Sequence, residues 1–220
     1  MTRIDHITVV SPTLEAGGEW VYERLGVRLQ GGGEHPRMGT HNLLLRLGDA
    51  MFLEVIAVDP AAARPSRPRW FALDTLPVDA EPRLACWVAR TDDIRGALAG
   101  APEAFGVAEP MSRGQLEWLI SIPEDGSLPF GGVAPTLIEW QAASHPAQSM
   151  LEQGCELVAL ELTHPRSEQV EELLSALAIV EPGVRVAVRQ GAVAAVVAHI
   201  ETPYGLRIIG AANPSIERSA

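Results

Sequence analysis

Hydrophobic and polar positions along this chain change period several times, between the two-residue alternation of strands and the 3.6-residue spacing of helices. Residues 4–10 predict a strand in which His6, Thr8 and Val10 share one face and Ile7 and Val9 the other. Ser11 and Pro12 then supply an N-cap and a first helical residue, Leu14, Val21 and Leu25 keep near-helical spacing, and Gly26 stands where a C-cap is expected. A weak strand at 27–29 and stronger ones at 40–47 and 51–58, joined by a turn at Gly48 and Asp49, complete the order strand, helix, strand, strand, strand.

That order recurs. Residues 84–89 predict a strand, Thr91 caps a short helix with Asp92 and Asp93 in its first turn, and 117–122 and 136–140 predict a strand pair. A third copy begins with a strand at 156–162. Thr163 and Pro165 start its helix, Val170, Leu173, Leu174 and Leu177 form the helix's buried face, and strands follow at 184–189, 192–201 and 206–209. The expected organisation is therefore module 1 at 1–58, a Pro-rich linker at 59–82, module 2 at 83–150 and module 3 at 151–212. The fold class is α+β, with repeated βαβββ modules. Modules 1 and 2 are expected to pair, while module 3 is expected to extend the sheet or serve a dimer interface. The linker reads as a crossover strapped down by Trp70, ahead of the alternative of a substrate lid.

Composition narrows the partners. The 220 residues carry 17 Lys and Arg against 28 Asp and Glu, a net charge of −11, which disfavours nucleic acid and anionic membrane surfaces. Apolar residues make up 47%, enough for a core without disulfides. Cys86 and Cys155 are the two cysteines, with no CxxC spacing. No signal-like or membrane-length apolar run is seen, so a cytoplasmic bacterial-type protein acting on a small molecule is expected, and a homodimer is left open. The Gly31–Gly33 run leads into no helix, and neither GK[ST], GxGxxG nor GxSxG occurs.

Alternation along 52–56 sets Leu53 and Val55 toward a helix, so His6 and Glu54 are expected on one concave face with Phe52. Glu139 occupies the matching strand of the second copy. Counting back from the helix start, the residue matching His6 there is Cys86, and the third copy has no acid in its last strand.

Taken together, Asp5-His6-Ile7-Thr8-Val9, Gly32-Gly33-Glu34-His35-Pro36 running into Gly39-Thr40-His41-Asn42, Phe52-Leu53-Glu54-Val55-Ile56, Ser112-Arg113 ahead of Trp118, Pro129-Phe130 before Leu137-Ile138-Glu139-Trp140, His145-Pro146 and His164-Pro165 resemble the vicinal oxygen chelate superfamily, in particular its glyoxalase-like branch. The resemblance spans residues 3 to about 210. It implies curved mixed sheets closing around a cavity, and a divalent metal (Zn, Ni, Mn or Fe) on His6, Glu54 and Glu139, with Cys86 at the fourth position where His, Gln or Glu is usual. It also implies a metal-dependent lyase or isomerase acting on a small vicinal-oxygen carbonyl compound, with Glu139 or Glu54 moving the proton. Arg46, Asn42, Arg113, Trp118 and Phe52 are the candidate substrate contacts, and His41 is a loop or ligand-contacting histidine. The alternatives are a metal-free binding protein, with Trp87, Trp118, Trp140 and Phe52 around a sequestered aromatic or apolar molecule, and a ring-cleaving dioxygenase, which position 86 disfavours.

Overall fold

The computed structural model describes residues 1–114, 116–141 and 144–210. One order of elements occurs three times. It runs first through β1 (Arg3–Val10), α1 (Leu14–Leu25), β2 (Gln30–His35), β3 (Thr40–Arg46) and β4 (Phe52–Val58). It repeats in β5 (Arg83–Arg90), α2 (Ile94–Ala99), β6 (Val107–Arg113), β7 (Leu116–Ile122) and β8 (Thr136–Trp140), and again in β9 (Glu156–His164), α3 (Ser167–Ala176), β10 (Arg185–Gln190), β11 (Ala195–Glu201) and β12 (Arg207–Ile209).

The first eight strands form one mixed sheet in the order β2-β3-β4-β1-β5-β8-β7-β6. β1 pairs parallel with β4 and antiparallel with β5, and β5 pairs parallel with β8. The sheet curls until its two edge strands, β2 and β6, lie against each other. Its convex side buries Ile7, Val9, Leu53 and Val55 against Val21 and Leu25 of α1. Each such side chain contributes about 1.5–3 kcal/mol when fully buried. The concave side carries His6, Phe52 and Glu54, as the two-residue alternation requires.

The last four strands form a separate sheet, β10-β9-β11-β12. The expectation that module 3 extends the main sheet is corrected here. β2 and β6 already cover each other's edges, so no free edge receives another strand. Instead Leu157, Leu160, Leu162, Ala198 and Ile200 join Leu84 and Trp87 of β5 in one shared core.

Local corrections have local causes. The first helix is capped by Thr13, whose Oγ1 accepts the Ala16 N–H at 3.1 Å; Ser11 is still tied to the sheet by its N–H to Ile56 O. Asp93, not Thr91, caps α2 through the Gly96 N–H. Thr163 stays in β9, paired with Arg189 and Ala195, and α3 starts four residues later. The weak strand at 27–29 is displaced to the glycine-bearing β2. β6 was not expected, because Pro110 interrupts its pattern; an edge strand tolerates a missing N–H. Gly26 does end α1 in the left-handed region, at φ 75°.

The linker is part of the cavity. Trp70 and Phe71 are buried in it, and the Ala72 N–H is held by Gly126 O at 2.8 Å. Among the described residues no helix is long and apolar enough to cross a membrane.

Candidate active site

The sheet's concave face and the Trp70 strap enclose a small cavity, with about 30 Å³ open inside it. One end holds His6 and Glu54, whose Nε2 and Oε2 atoms stand 3.6 Å apart, beyond hydrogen-bond length. Each group is tied at its far atom. His6 Nδ1 lies 2.6 Å from Asp5 Oδ1, and Glu54 Oε1 accepts the Asn42 Nδ2–H at 2.6 Å. Asp5 and His6 are sequence neighbours and would ordinarily face opposite sides. A register shift in the β1–β5 pairing between Ile4 and His6 removes that separation, as bulges beside functional sites do. Phe52 stacks on the imidazole, with centroids 4.5 Å apart, which fixes the ring plane.

Asp5 is fully buried and collects donors from three directions: His6, the His145 Nε2–H at 2.9 Å and the Trp140 Nε1–H at 2.8 Å. Burial opposes its ionisation. The hydrogen bonds and charge of His145 and His6 outweigh that and hold the carboxyl well below the usual carboxylate range. An ionised Asp5 accepts the Nδ1 proton of His6, which leaves Nε2 as the imidazole atom that faces Glu54.

At the other end stands Arg113. Its Nη1 donates to Asn42 Oδ1 at 3.2 Å and approaches His35 Nε2 at 3.4 Å. A guanidinium has no lone pair to offer, so His35 Nε2 is bare and its Nδ1–H faces Thr40 Oγ1 at 3.1 Å. Burial first, and the Arg113 charge second, push His35 from 6.5 down to about 3. Between those values the unfolded chain takes up a proton that the folded chain refuses. His35 therefore stabilises the fold fully above pH 6.5, and that contribution is lost as pH falls toward 3. Urea denaturation is expected to show stability declining by about 1.4 kcal/mol per pH unit across that window. His35→Gln should flatten the slope, and an unchanged slope would disprove the assignment.

The structure brings His6, Glu54, Asn42, Phe52, Arg113 and Trp118 to one cavity. It does not bring Glu139 there. Ile138 and Trp140 face the cavity, so Glu139 between them points to the opposite side, where its carboxylate accepts the Ile94 N–H at the start of α2 and a Gln141 Nε2–H. The two glutamates occupy matching strands in opposite phase, and one residue of register reverses every side chain. Arg46 shares a strand with Asn42, but its guanidinium turns away to Gly48 O, Asp49 and Glu152. His41 does not line the cavity, and Trp87 lies in the convex core with its Nε1–H on Val133 O.

The expected metal does not fit these residues. Glu139 is turned away, and burial pushes the Cys86 thiol up to about 12, far from the thiolate a metal binds. His6 and Glu54 are left as two donors beside a guanidinium. Among the described residues no group of three His, Cys, Asp or Glu side chains is placed to hold an ion. Cys86 and Cys155, the latter pushed up to about 11, are expected to resist iodoacetamide in the native protein and to react in urea. Intact mass reads the adducts, and native labelling of Cys86 would contradict its placement in the core.

Asp5, His35, His145 and Trp70 were not expected as site residues, and Trp140 was expected only as a wall of the binding-protein alternative. Asp5 is adjacent to His6 in the motif, which was the available signal. The others come from a loop, the linker and distant strands, and nothing in their spacing ties them to His6.

A single cup is thus built by two βαβββ modules, with an imidazole–carboxylate pair at one end and a cation at the other. This is the architecture of the glyoxalase fold. The chain belongs to the glyoxalase-like domain family, which matches residues 4–178. A hypothetical protein from Staphylococcus aureus shares the fold over 88% of both chains, at 14% identity and a TM-score of 0.63. More distant similarity reaches a methylmalonyl-CoA epimerase in complex with methylmalonyl-CoA and NH4+, over 66% of this chain and 99% of that one, at 19% identity and a TM-score of 0.45. A hypothetical protein from Bacillus halodurans matches over 66% and 96%, at 11% identity and a TM-score of 0.42. No curated protein matches the chain.

Proposed function

We propose that this chain moves a proton at a carbon next to a carbonyl in a small substrate, as an isomerase or lyase, and that it does so with Glu54 and His6 rather than a resident metal. The observation that carries this reading is the free pair of atoms, His6 Nε2 and Glu54 Oε2, 3.6 Å apart with their partner atoms anchored by Asp5 and Asn42. Anchoring leaves the imidazole Nε2 and the carboxylate Oε2 aimed into a space walled by Phe52, Trp118 and Trp140. In the proposed reaction Glu54 Oε2 takes the carbon-bound proton, the bonding pair passes to the carbonyl oxygen as an enolate, and His6, in its protonated form, donates from Nε2 to that oxygen; reversal of both transfers returns a proton to carbon. Asp5 holds the imidazole in one tautomer and favours its charged form when it takes up a proton.

The aromatic walls also suit a binding protein for an apolar molecule. The charged groups at both ends, the His6–Glu54 pair and Arg113, oppose that reading, because an apolar ligand would leave them without partners.

The test is deuterium uptake. The purified chain is incubated in D2O with hydroxyacetone and with pyruvate, with and without EDTA, and exchange at the carbon beside the carbonyl is read by proton NMR. Exchange above buffer that survives EDTA is the expected result. Exchange abolished by EDTA and restored by Zn would return a metal to the site. No exchange, with saturable quenching of tryptophan fluorescence by an aromatic dye, would make the chain a binder.

A further inference from the structure

We propose that Arg113 is the anchor for a carboxylate, so that the substrate of the His6–Glu54 pair is a small carbonyl acid or its hydroxy counterpart. The substrate class rests on the proton-transfer reading above; the anchoring itself does not.

The first observation is a cation without an anion. In a chain with net charge −11, the other arginines around the cup are matched: Arg37 and Arg67 with Glu109, Arg69 with Asp74, Arg46 with Asp49 and Glu152. Arg113 lines the cavity, yet among the described residues its polar contacts are the neutral Asn42 amide and His35 imidazole, both through Nη1. A partly buried guanidinium with Nε and Nη2 unengaged is costly unless an anion completes it, and a carboxylate matches its planar fork.

The second observation is the glycine run, which no nucleotide loop explains. A Cβ at Gly33 would lie 2.6 Å from Arg113 Cδ, and one at Gly32 would lie 2.0 Å from Asn42 Oδ1. The missing side chains of β2 are the passage by which Arg113, from the opposite edge of the sheet, enters the cup. The Gly33 N–H also donates to Asn42 Oδ1 at 2.8 Å.

Third, Asn42 keeps acid and base apart. Its Nδ2 holds Glu54 and its Oδ1 receives Arg113, so the two charges address one amide from either side without forming an ion pair. Both stay available, the carboxylate to a proton and the guanidinium to an anion. Trp70 Nε1–H, a buried donor with no partner among the described residues, belongs to the same lining and offers a further bond to an oxygen. The narrow free space restricts the acid to a few heavy atoms.

The experiment compares two three-carbon probes that differ by one oxygen and the charge, pyruvate and neutral hydroxyacetone, in the full chain and in Arg113→Met and Gly33→Ala. Binding is read by tryptophan fluorescence, with acetate and malonate as further carboxylates, and turnover by deuterium uptake. The wild type is expected to prefer pyruvate about tenfold or more in kcat/KM, as charge-assisted hydrogen bonds allow. Both substitutions should collapse that preference through KM, Gly33→Ala while retaining the guanidinium. Carboxylate binding that is absent in the wild type, or equal in Arg113→Met, overturns the anchor. Exchange into hydroxyacetone with no preference for pyruvate overturns it too, and leaves proton transfer standing. Arg113-dependent carboxylate binding with no exchange in either probe supports the anchor and overturns proton transfer.

Discussion

Asp5→Ala is expected to lower the unfolding free energy by about 3–5 kcal/mol, read from urea denaturation, well beyond an ordinary substitution. The carboxylate has no exposed surface and receives His6, His145 and Trp140, with Arg90 Nη1 a further 4.0 Å away. Alanine would strand all of these donors in the interior, each losing a charge-assisted partner. Asp5→Asn should cost less in stability, because one oxygen still accepts. Its amide N–H would meet donors, however, so the His6 tautomer is no longer imposed. Acid denaturation separates the two buried contributors by pH. Asp5 has a depressed carboxyl, so its stabilisation is present above the ordinary value of 3.8 and is lost below it, whereas His35 begins to lose its share from pH 6.5 downward. If Asp5→Ala unfolds within about 1 kcal/mol of the wild type, the network is not what holds β1, β8 and the 145–150 loop together.

Glu54→Gln and His6→Asn should each reduce deuterium uptake about 10²–10⁴-fold, the range for removing a positioned proton carrier. Glutamine keeps an oxygen for the Asn42 amide, so the cavity is preserved and the loss should fall on kcat. The double variant is expected to lose little more than either single one, because residues acting as a unit are not additive. Glu139→Gln acts as the contrast. Its carboxylate is spent on the start of α2, behind the sheet, so uptake should stay close to wild type while helix stability falls slightly. Loss of uptake on Glu139→Gln equal to that on Glu54→Gln would mean that Glu139 reaches the substrate after all.

Much of this architecture could be read from the residues. Alternation set Ile7, Val9, Leu53 and Val55 against the first helix and left His6, Phe52 and Glu54 on the other side, which is where they lie. That inference held because a strand has one geometric rule, period two, and hydrophobic burial enforces it on one face. It failed for Glu139, where the same rule offered two phases and neighbouring apolar residues satisfied both. It was silent on β6 and β2, whose Pro110 and Gly31–Gly33 look unlike strand residues. Those residues serve at edges and as clearance, for which composition carries no signal.

The order of amino acids alone gives most of the recurring run of elements, the acidic and apolar balance, and the two faces of the first and fourth strands, since these follow from spacing and transfer from water within a few neighbouring residues. Convergence is different. Asp5 meets His145 and Trp140, Arg113 passes over Gly33, and Trp70 roofs the cup against His35, across separations of 35 to 140 residues. Closure of the sheet creates these meetings, one bulge turns Asp5 onto His6, and one residue of phase sends Glu139 outward. No local pattern encodes such contacts, because their energy exists only once distant strands have packed.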